Sequence, residues 1–301
     1  MQFGREEIDL SNFDHRLPAD GPLTALALSG ERDSQFKAYV GAPSWGNKFW
    51  LGKVYPKGTK DTDFLKYYAA DFNAVELNAT FYNIPSPELL LTWKEKVKAA
   101  PGFKFCPKFP QAITHIRRFK NSQEPSDKFY RSISVLKEHL GPVFIQLADN
   151  LTYKSFPDLK AYLTNMPQDI SYFVELRNKK WYADPEQRSN LFDLLKALKI
   201  GLAISDTPGR RDCLHMELTT PDAFVRFVNS GDERLDFQRL DEWLDRLVSW
   251  KVQGLRSLYF FIHAGDTPKL TLFNYLIPKL NKQLGLELKI PGRYAESDLF
   301  L

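Results

Sequence analysis

Residues 74–81 read AVELNATF and residues 171–177 read SYFVELR, and these two stretches decide the fold class. Each places an acid, Glu76 or Glu175, inside a run of apolar residues. Short runs of this kind, rich in β-branched and aromatic residues, are typical of buried β-strands. Because successive side chains of a strand alternate, the acid faces one way and its apolar neighbours face the other. That pattern fits a barrel, whose strands turn one face to the lumen and the other to surrounding helices.

Six further runs of the same kind lie along the chain. They begin at Ala38, Phe103, Pro142, Gly201, Ala223 and Ser257. Amphipathic segments separate them, such as SPELLLTWKEKVKAA, in which Ser86 is a helix cap and Pro87 takes the first helical position. Eight such units of roughly 30 residues have the size of an α/β (β/α)8 TIM barrel. A doubly wound open sheet is the alternative, but its glycine-rich first turn is missing from APSWGNKFW at residues 42–50.

The two ends of the chain differ from this repeating part. Residues 1–37 have no helical or strand period, and Pro18, Gly21 and Pro22 interrupt them. We therefore predict two parts. Residues 1–37 form an N-terminal arm packed on the barrel, and residues 38–301 form the TIM-barrel domain with a closing C-terminal tail.

Composition excludes several classes of protein. The 301 residues have a formal net charge of +4, which is too small to indicate nucleic-acid binding by itself. The two cysteines, Cys106 and Cys213, exclude a disulfide framework and a zinc cage built from thiols. The first residues lack the apolar core of a signal peptide, and no run of about 18 apolar residues predicts a membrane span. We expect a cytoplasmic protein with no membrane association.

Charged side chains in these strands predict the site. An unpaired charge facing the helix layer costs several kcal/mol, so we expect it to face the lumen, near the C-terminal strand ends where barrel active sites lie. The predicted catalytic residues are Glu76, Lys108, Glu175 and Asp206. The predicted substrate-binding residues on the strands are Asn78, Gln146, Arg177, Arg226 and His263. The alternative is an ion-pair network that only fills the lumen.

Loops after the strands extend the predicted substrate-binding site. His115 and Arg210 lie in loops that carry several arginines, so we expect a positive mouth that binds carboxylate or phosphate. Trp45, Tyr82 and Trp181 follow strand ends, where they would form aromatic walls. Among the histidines and acids we find no tight spacing of metal ligands, so we predict neither a metal nor a cofactor.

The order of several motifs resembles the YecE-like family, a set of TIM-barrel proteins catalogued as a domain of unknown function. The similarity is carried by YVGAPSW, VYPKGTK, FNAVELNATFYNIPSPE, FKFCPKFPQAITHIRRF, FIQLADN, YFVELRNKKWY and GLRSLYFFIHAG. It covers nearly the whole chain and implies a TIM barrel, without implying a settled activity. The Ile262-His263-Ala264-Gly265 end of the last strand departs from the asparagine-rich end of many relatives.

Three functions remain open from the sequence. The first is a metal-independent acid–base enzyme, a hydrolase, isomerase or lyase, acting on a small anionic, sugar-like substrate. Glu76 and Glu175 would carry the protons in it, and Lys108 offers a Schiff-base variant. The second is a barrel that binds or processes nucleic acid through its basic mouth and aromatics. The third is a binding protein without turnover.

Overall fold

The structure is a computed structural model that describes residues 13–29, 35–264 and 270–295. Its eight strands are all parallel and confirm the predicted runs. They are β1 Lys37–Ala42, β2 Ala74–Leu77, β3 Lys104–Pro107, β4 Val143–Gln146, β5 Tyr172–Glu175, β6 Gly201–Asp206, β7 Asp222–Val228 and β8 Ser257–His263.

The sheet closes on itself. Its strand order is β3-β2-β1-β8-β7-β6-β5-β4, so β3 and β4 are its two ends. Two bridges join them, Phe105 with Leu140 and Lys108 with Phe144. The Phe109 amide also donates to the Phe144 carbonyl at 2.8 Å. The fold is therefore the predicted TIM barrel.

Helices cover the outside of the barrel. They are α1 Pro22–Leu28, α2 Phe64–Asp71, α3 Ala79–Tyr82, α4 Pro87–Lys96, α5 Gln123–Ile133, α6 Phe156–Thr164, α7 Pro185–Ala197, α8 Glu233–Gln253 and α9 Leu270–Leu284. At the start of α4 the Ser86 hydroxyl accepts from the Leu89 amide and Pro87 is the first helical residue, as predicted. No helix in the described residues is long and apolar enough to cross a membrane.

Apolar side chains fill the N-terminal part of the lumen. This lumen layer consists of Ala74, Cys106, Phe144, Phe173, Ala203, Phe224, Tyr259 and Phe261. Tyr39 stacks on Tyr259 with ring centroids 4.7 Å apart. Burial raises the pKa of the Cys106 thiol well above its usual value, so this cysteine is a packing residue. In the described part of the chain, the buried charged side chains of the lumen lie beyond this layer, toward the C-terminal ends of the strands.

The described part of the N-terminal segment contacts the barrel. The Gly21 amide donates to the Met216 carbonyl at 2.9 Å, and Arg246 of α8 donates to the Pro18 carbonyl at 2.9 Å. The expectation of an irregular segment is wrong for Pro22–Leu28, which form α1 with proline at its first position. Proline is favoured there because its missing N–H would have no helical partner. Residues 1–12 and 30–34 lie outside the described residues.

Candidate functional site

Eight of the predicted site residues come together in the C-terminal part of the lumen. With Ser205, which was not predicted, they form what we call the lumen cluster: Glu76, Asn78, Lys108, Gln146, Glu175, Arg177, Ser205, Arg226 and His263. These side chains come from β2, β3, β4, β5, β6, β7, β8 and the residues directly after them. The alternation rule therefore places most of the cluster correctly.

Arg226 lies at the centre of the cluster and joins two carboxylates. Its guanidinium donates twice to Glu76, from Nε to Oε2 at 2.9 Å and from Nη2 to Oε1 at 3.0 Å. Its Nη1 donates to Glu175 Oε1 at 2.8 Å. All three side chains are almost completely buried. The planar guanidinium fits this bridge because it presents several donors in a fixed fork.

Glu175 accepts hydrogen bonds from four side chains. Besides Arg226, it accepts from Arg177 Nε at 3.0 Å, from Gln146 Nε2 at 2.6 Å and from the Ser205 hydroxyl. Burial alone would raise the pKa of Glu175, but Arg177 and Arg226 hold it well below its usual value. The carboxylate is therefore ionised and its lone pairs are used.

Glu76 is held in the same way. Asn78 Nδ2 donates to its Oε1 at 3.0 Å, and His263 Nε2 lies 3.1 Å from its Oε2. Burial opposes ionisation, yet Arg226 and then His263 keep the pKa of Glu76 well below its usual value. Burial also lowers the pKa of His263, which favours the neutral ring. Since a carboxylate only accepts, the proton of neutral His263 lies on Nε2.

Lys108 differs from the other cations of the cluster. Its Nζ donates to Gln146 Oε1 at 2.9 Å and lies 4.0 Å from the centroid of the Phe81 ring. The side chain is fully buried. Burial, and after it the charge of Arg226, lower the pKa of Lys108 from 10.5 to about 7. The amine therefore exchanges its proton close to neutral pH.

An aromatic rim lies over this amine. Phe81, with 7% of its surface exposed, contacts the rings of Tyr82 and His115 at centroid distances of 5.1 Å each. Tyr82 is 56% exposed, so it lies at the mouth of the barrel. Burial, followed by the charges of Lys108 and Arg177, lowers the pKa of His115. Tyr82 and His115 therefore lie beside the lumen cluster, and their roles in binding stay predictions.

Asp206 does not belong to the lumen cluster. Its carboxylate accepts from Trp243 Nε1 at 2.8 Å and lies 2.9 Å from Arg239 Nη2, and both partners belong to α8. The prediction that it faces the lumen is wrong because Leu202 and Ile204, on the same face of β6, pack in the core of the helix layer. Asp206 is an ion-pair residue between barrel and helix.

Two of the predicted aromatic walls also lie away from the cluster. Trp181 is fully buried, and its Nε1 donates to the Leu151 carbonyl at 2.8 Å. Trp45 packs edge-on against Trp93 of α4 at 4.9 Å between ring centroids. Both side chains pack against other residues outside the lumen, which is the more common role of a large aromatic residue.

The loop arginines after β6 have acidic partners. Arg210 Nε donates to Asp212 Oδ1 at 2.9 Å, and its Nη2 donates to the Arg177 carbonyl at 3.0 Å. Arg211 Nη1 donates to Asp206 Oδ1 at 2.7 Å. These two arginines therefore add less positive charge to the mouth than we expected from the sequence. Arg210 supports the backbone at Arg177.

Ser205 is the residue that the sequence analysis missed in the cluster. On β6, Gly201, Ala203 and Ser205 share the lumen face, and their small size leaves room for the charged side chains of neighbouring strands.

We expect Ser205→Ala to lower the free energy of unfolding by about 1–3 kcal/mol, because a buried carboxylate then loses a donor. Urea denaturation measures the change. A Ser189→Ala variant, at an exposed hydroxyl of α7, is the control; equal effects would contradict a special role for Ser205.

Acids and histidines of the lumen cluster are bound to other side chains of the cluster. Among the described residues, no group of three or more His, Cys, Asp or Glu side chains is arranged to hold a metal ion. His263 and Glu76 are engaged with each other, and Glu76 also binds Arg226.

Together, the barrel and the lumen cluster define a TIM-barrel protein with a buried polar site at the C-terminal ends of its strands. The chain belongs to the family described as "Protein of unknown function DUF72", whose model matches residues 39–291. It is 27% identical to UPF0759 protein YecE of Escherichia coli K12 over 281 residues, which cover 87% of this chain and 99% of that protein. It is also 29% identical over 157 residues to UPF0759 protein YunF of Bacillus subtilis, covering 49% of this chain and 53% of that protein.

Solved structures of the same family share the fold. A DUF72 family protein of Thermotoga maritima superposes with a TM-score of 0.62 at 25% identity, covering 83% of this chain and all of that one. One from Enterococcus faecalis superposes with a TM-score of 0.62 at 16% identity, covering 85% of this chain and all of the other. These similarities confirm the family resemblance and the barrel.

Proposed function

We propose that the chain is an acid–base enzyme acting on a small anionic substrate, with Lys108 as the group that gains and loses the proton. The observation that carries this proposal is the fully buried amine of Lys108, which is hydrogen-bonded to Gln146 within the lumen cluster. Burial lowers the pKa of this amine to about 7. A proton carrier works best when its pKa is close to the working pH. Perturbed titratable groups concentrate at functional sites, particularly at the C-terminal end of a barrel.

The carboxylates have a different role in this proposal. Glu76 and Glu175 were predicted to carry protons, but their oxygens are occupied by Arg226 and by neighbouring donors. Their lowered pKa values keep them ionised at neutral pH. The contacts favour them as positioning residues that orient Arg226, Arg177 and, through Gln146, Lys108.

Charge balance in the cluster favours an anion. Among the described residues of the cluster, Glu76 and Glu175 match the charges of Arg177 and Arg226, so protonated Lys108 adds one further positive charge to that count. Asp149 lies 3.8 Å from Arg177 Nη1, but its side chain is 58% exposed and water screens it. In a low-dielectric lumen, an excess positive charge attracts a carboxylate or phosphate more strongly than in bulk water.

We expect small anions to stabilise the protein against heat. At a concentration of about 100 times Kd, a ligand that binds only the folded state adds about 2.7 kcal/mol. Acetate, lactate and inorganic phosphate are the probes, with Tm as the readout. Above pH 7 the apparent affinity should fall, because Lys108 loses the proton that provides the excess charge.

Arg177→Gln and Arg256→Gln form a matched pair for this test. Arg256 forms an exposed ion pair with Asp222, just before β8 and so at the opposite end of the barrel. The anion-induced shift should be lost in Arg177→Gln and kept in Arg256→Gln. Equal shifts in both variants, or no shift in the wild type with any of the three anions, would contradict the proposed function.

The nucleic-acid alternative loses part of its basis. Arg210 and Arg211, which supplied much of the expected basic mouth, are paired with Asp212 and Asp206. Binding along a phosphate backbone would show as affinity that falls steeply with salt. Tight, strongly salt-dependent retention of a single-stranded oligonucleotide, without a response to small anions, would favour that alternative.

A further inference from the structure

We infer that Lys108 forms an imine with a small carbonyl compound that also carries an anionic group, an inference that rests on the function proposed above. The Lys108 Nζ lies inside the lumen, 4.0 Å from the Phe81 ring centroid and 5.7 Å from that of Phe144. Aromatic surroundings solvate an ammonium ion less well than water does. A desolvated lysine is the side chain that enzymes use to attack carbonyl groups.

Gln146 fixes one hydrogen bond of this amine. Its Nε2 donates to Glu175 Oε2 at 2.6 Å, and a carboxylate accepts only. The amide oxygen of Gln146 must then face Lys108, from which it accepts at 2.9 Å. Glu175 therefore positions the nucleophile through Gln146, and the orientation of the amide follows from the chemistry of its partner.

Other nucleophilic side chains near the lumen are less suited to the reaction. The Ser205 hydroxyl donates to Glu175. Burial raises the pKa of the Cys106 thiol, which lies in the apolar lumen layer. Lys108 differs because a pKa of about 7 instead of 10.5 increases its neutral fraction at neutral pH by about three orders of magnitude.

The anionic group of the substrate has a partner in Arg177. This guanidinium is held by Glu175 and has Asp149 at 3.8 Å, which is longer than a good charge-assisted hydrogen bond. A carboxylate or phosphate that enters the mouth competes with this exposed aspartate. Glu175 Oε2 accepts from both Arg177 Nε and Gln146 Nε2, and Gln146 Oε1 accepts from Lys108, so a short chain of contacts joins the two cations. The substrate class we infer from it is a compound with its carbonyl a few bonds from an anionic group, such as a 2-oxo acid or a ketose phosphate.

The proposed step conserves atoms and electrons without a co-reactant. The lone pair of neutral Nζ forms a bond to the carbonyl carbon, and the π electrons of the C=O bond move to oxygen. The two hydrogens of the amine then leave with that oxygen as one molecule of water, and the C=N bond forms. Protonation of the imine nitrogen makes it an electron sink for later bond cleavage or proton loss at the neighbouring carbon.

Reductive trapping tests the inference. The full-length protein is incubated with pyruvate or with dihydroxyacetone phosphate, sodium borohydride is added, and the modified residue is located by peptide mass spectrometry. We expect at least one of the two probes to label Lys108, with a dependence on probe concentration that saturates. Lactate, which has the anionic group of pyruvate but no carbonyl, should give no adduct and should slow labelling by pyruvate.

Three variants sharpen the result. Lys108→Met should lose the specific adduct. Lys104→Arg, which alters a lysine four residues earlier, at the start of β3, whose Nζ binds the Glu138 carbonyl, should keep it. Phe81→Ala removes the ring that covers the amine, so the probe reaches Nζ more easily and the labelling rate should increase by about tenfold or more. A factor of ten corresponds to about 1.4 kcal/mol of activation barrier.

The outcomes separate the two proposals. Labelling spread over surface lysines, with none preferred at Lys108 for either probe, overturns the imine even if Lys108→Met does not fold, because the mapping is done on the wild type. If small anions still raise Tm in that case, the proposed acid–base function stands without the imine. If neither trapping nor stabilisation by anions occurs, both proposals fail.

Discussion

Arg226→Met is expected to lower the free energy of unfolding by about 3–5 kcal/mol, which is the cost of breaking a buried ion pair by removing one partner. Arg226 donates three hydrogen bonds to two buried carboxylates, Glu76 and Glu175. Methionine has a similar volume, so the loss measures the missing charge more than a cavity. Denaturation with guanidinium chloride, followed by tryptophan fluorescence and circular dichroism, gives the change.

Two controls separate this effect from general damage. Arg256→Met removes an exposed ion pair with Asp222 and should cost less than about 1 kcal/mol. Combining Arg226→Met with Glu76→Gln removes one buried positive and one buried negative charge and leaves Glu175 paired with Arg177, so stability should partly return. A loss below about 1 kcal/mol in Arg226→Met would show that the charge network contributes little to folding.

The barrel was predictable because its signal is repeated. Eight apolar runs separated by amphipathic segments give the strand count, and a parallel barrel is the arrangement that covers all of them with helices. The short helix α1 was not predictable in the same way, because seven residues at Pro22–Leu28 carry too few turns for a helical period. Its position depends on contacts with the barrel, among them the bond from Gly21 to Met216.

Alternation along the strands placed most of the lumen cluster, and the wrong placement of Asp206 came from the argument about burial cost. For Glu76, the apolar neighbours Val75 and Leu77 face the helix layer, so the acid faces the lumen. The same rule applied to β6 puts Ser205 in the lumen and Asp206 with Ile204 outside. The charge of Asp206 suggested the opposite. The argument from burial cost assumed an unpaired charge, and Arg239 and Trp243 pair this one.

Roles within the cluster could not be predicted from the sequence. An acid is ionised or protonated according to the donors around it, and Glu175 has four side chains bound to its oxygens. The pKa of Lys108 depends on its burial inside the closed barrel and on the charge of Arg226, which lies far away along the chain. Only the assembled barrel brings these groups together. The residue that we propose as proton carrier is therefore the lysine, where the sequence had suggested the two glutamates.

Lys108→Met is expected to make the protein more stable at pH 6, in contrast to Arg226→Met. The pKa of Lys108 is about 7 in the folded chain against an ordinary value of 10.5. Between these two pH values the unfolded chain binds more protons, so the stability of the wild type rises with pH across this window and is lowest below it. At pH 6 this lowered pKa reduces the free energy of unfolding of the wild type by about 5 kcal/mol. In the variant the Gln146 oxygen loses the hydrogen bond from Lys108, which lowers stability by about 1–3 kcal/mol and leaves a net gain of about 2–4 kcal/mol.

The gain should shrink as the pH rises, by about 2.5 kcal/mol between pH 6 and pH 9, because the wild-type lysine is then mostly neutral in the folded state. Urea denaturation at both pH values measures this difference, with Lys98→Met as the control at an exposed lysine of the surface. That control should change stability by less than about 1 kcal/mol at either pH.

A Lys108→Met variant that is less stable than the wild type at pH 6 would mean that the folded protein stabilises the lysine as a cation. The amine would then belong to the ion-pair network with Arg226, and its role as proton carrier and nucleophile would have to be abandoned. A gain that follows the stated pH window instead identifies Lys108 as a residue that the fold keeps at the expense of stability, which is the pattern expected of a group retained for chemistry.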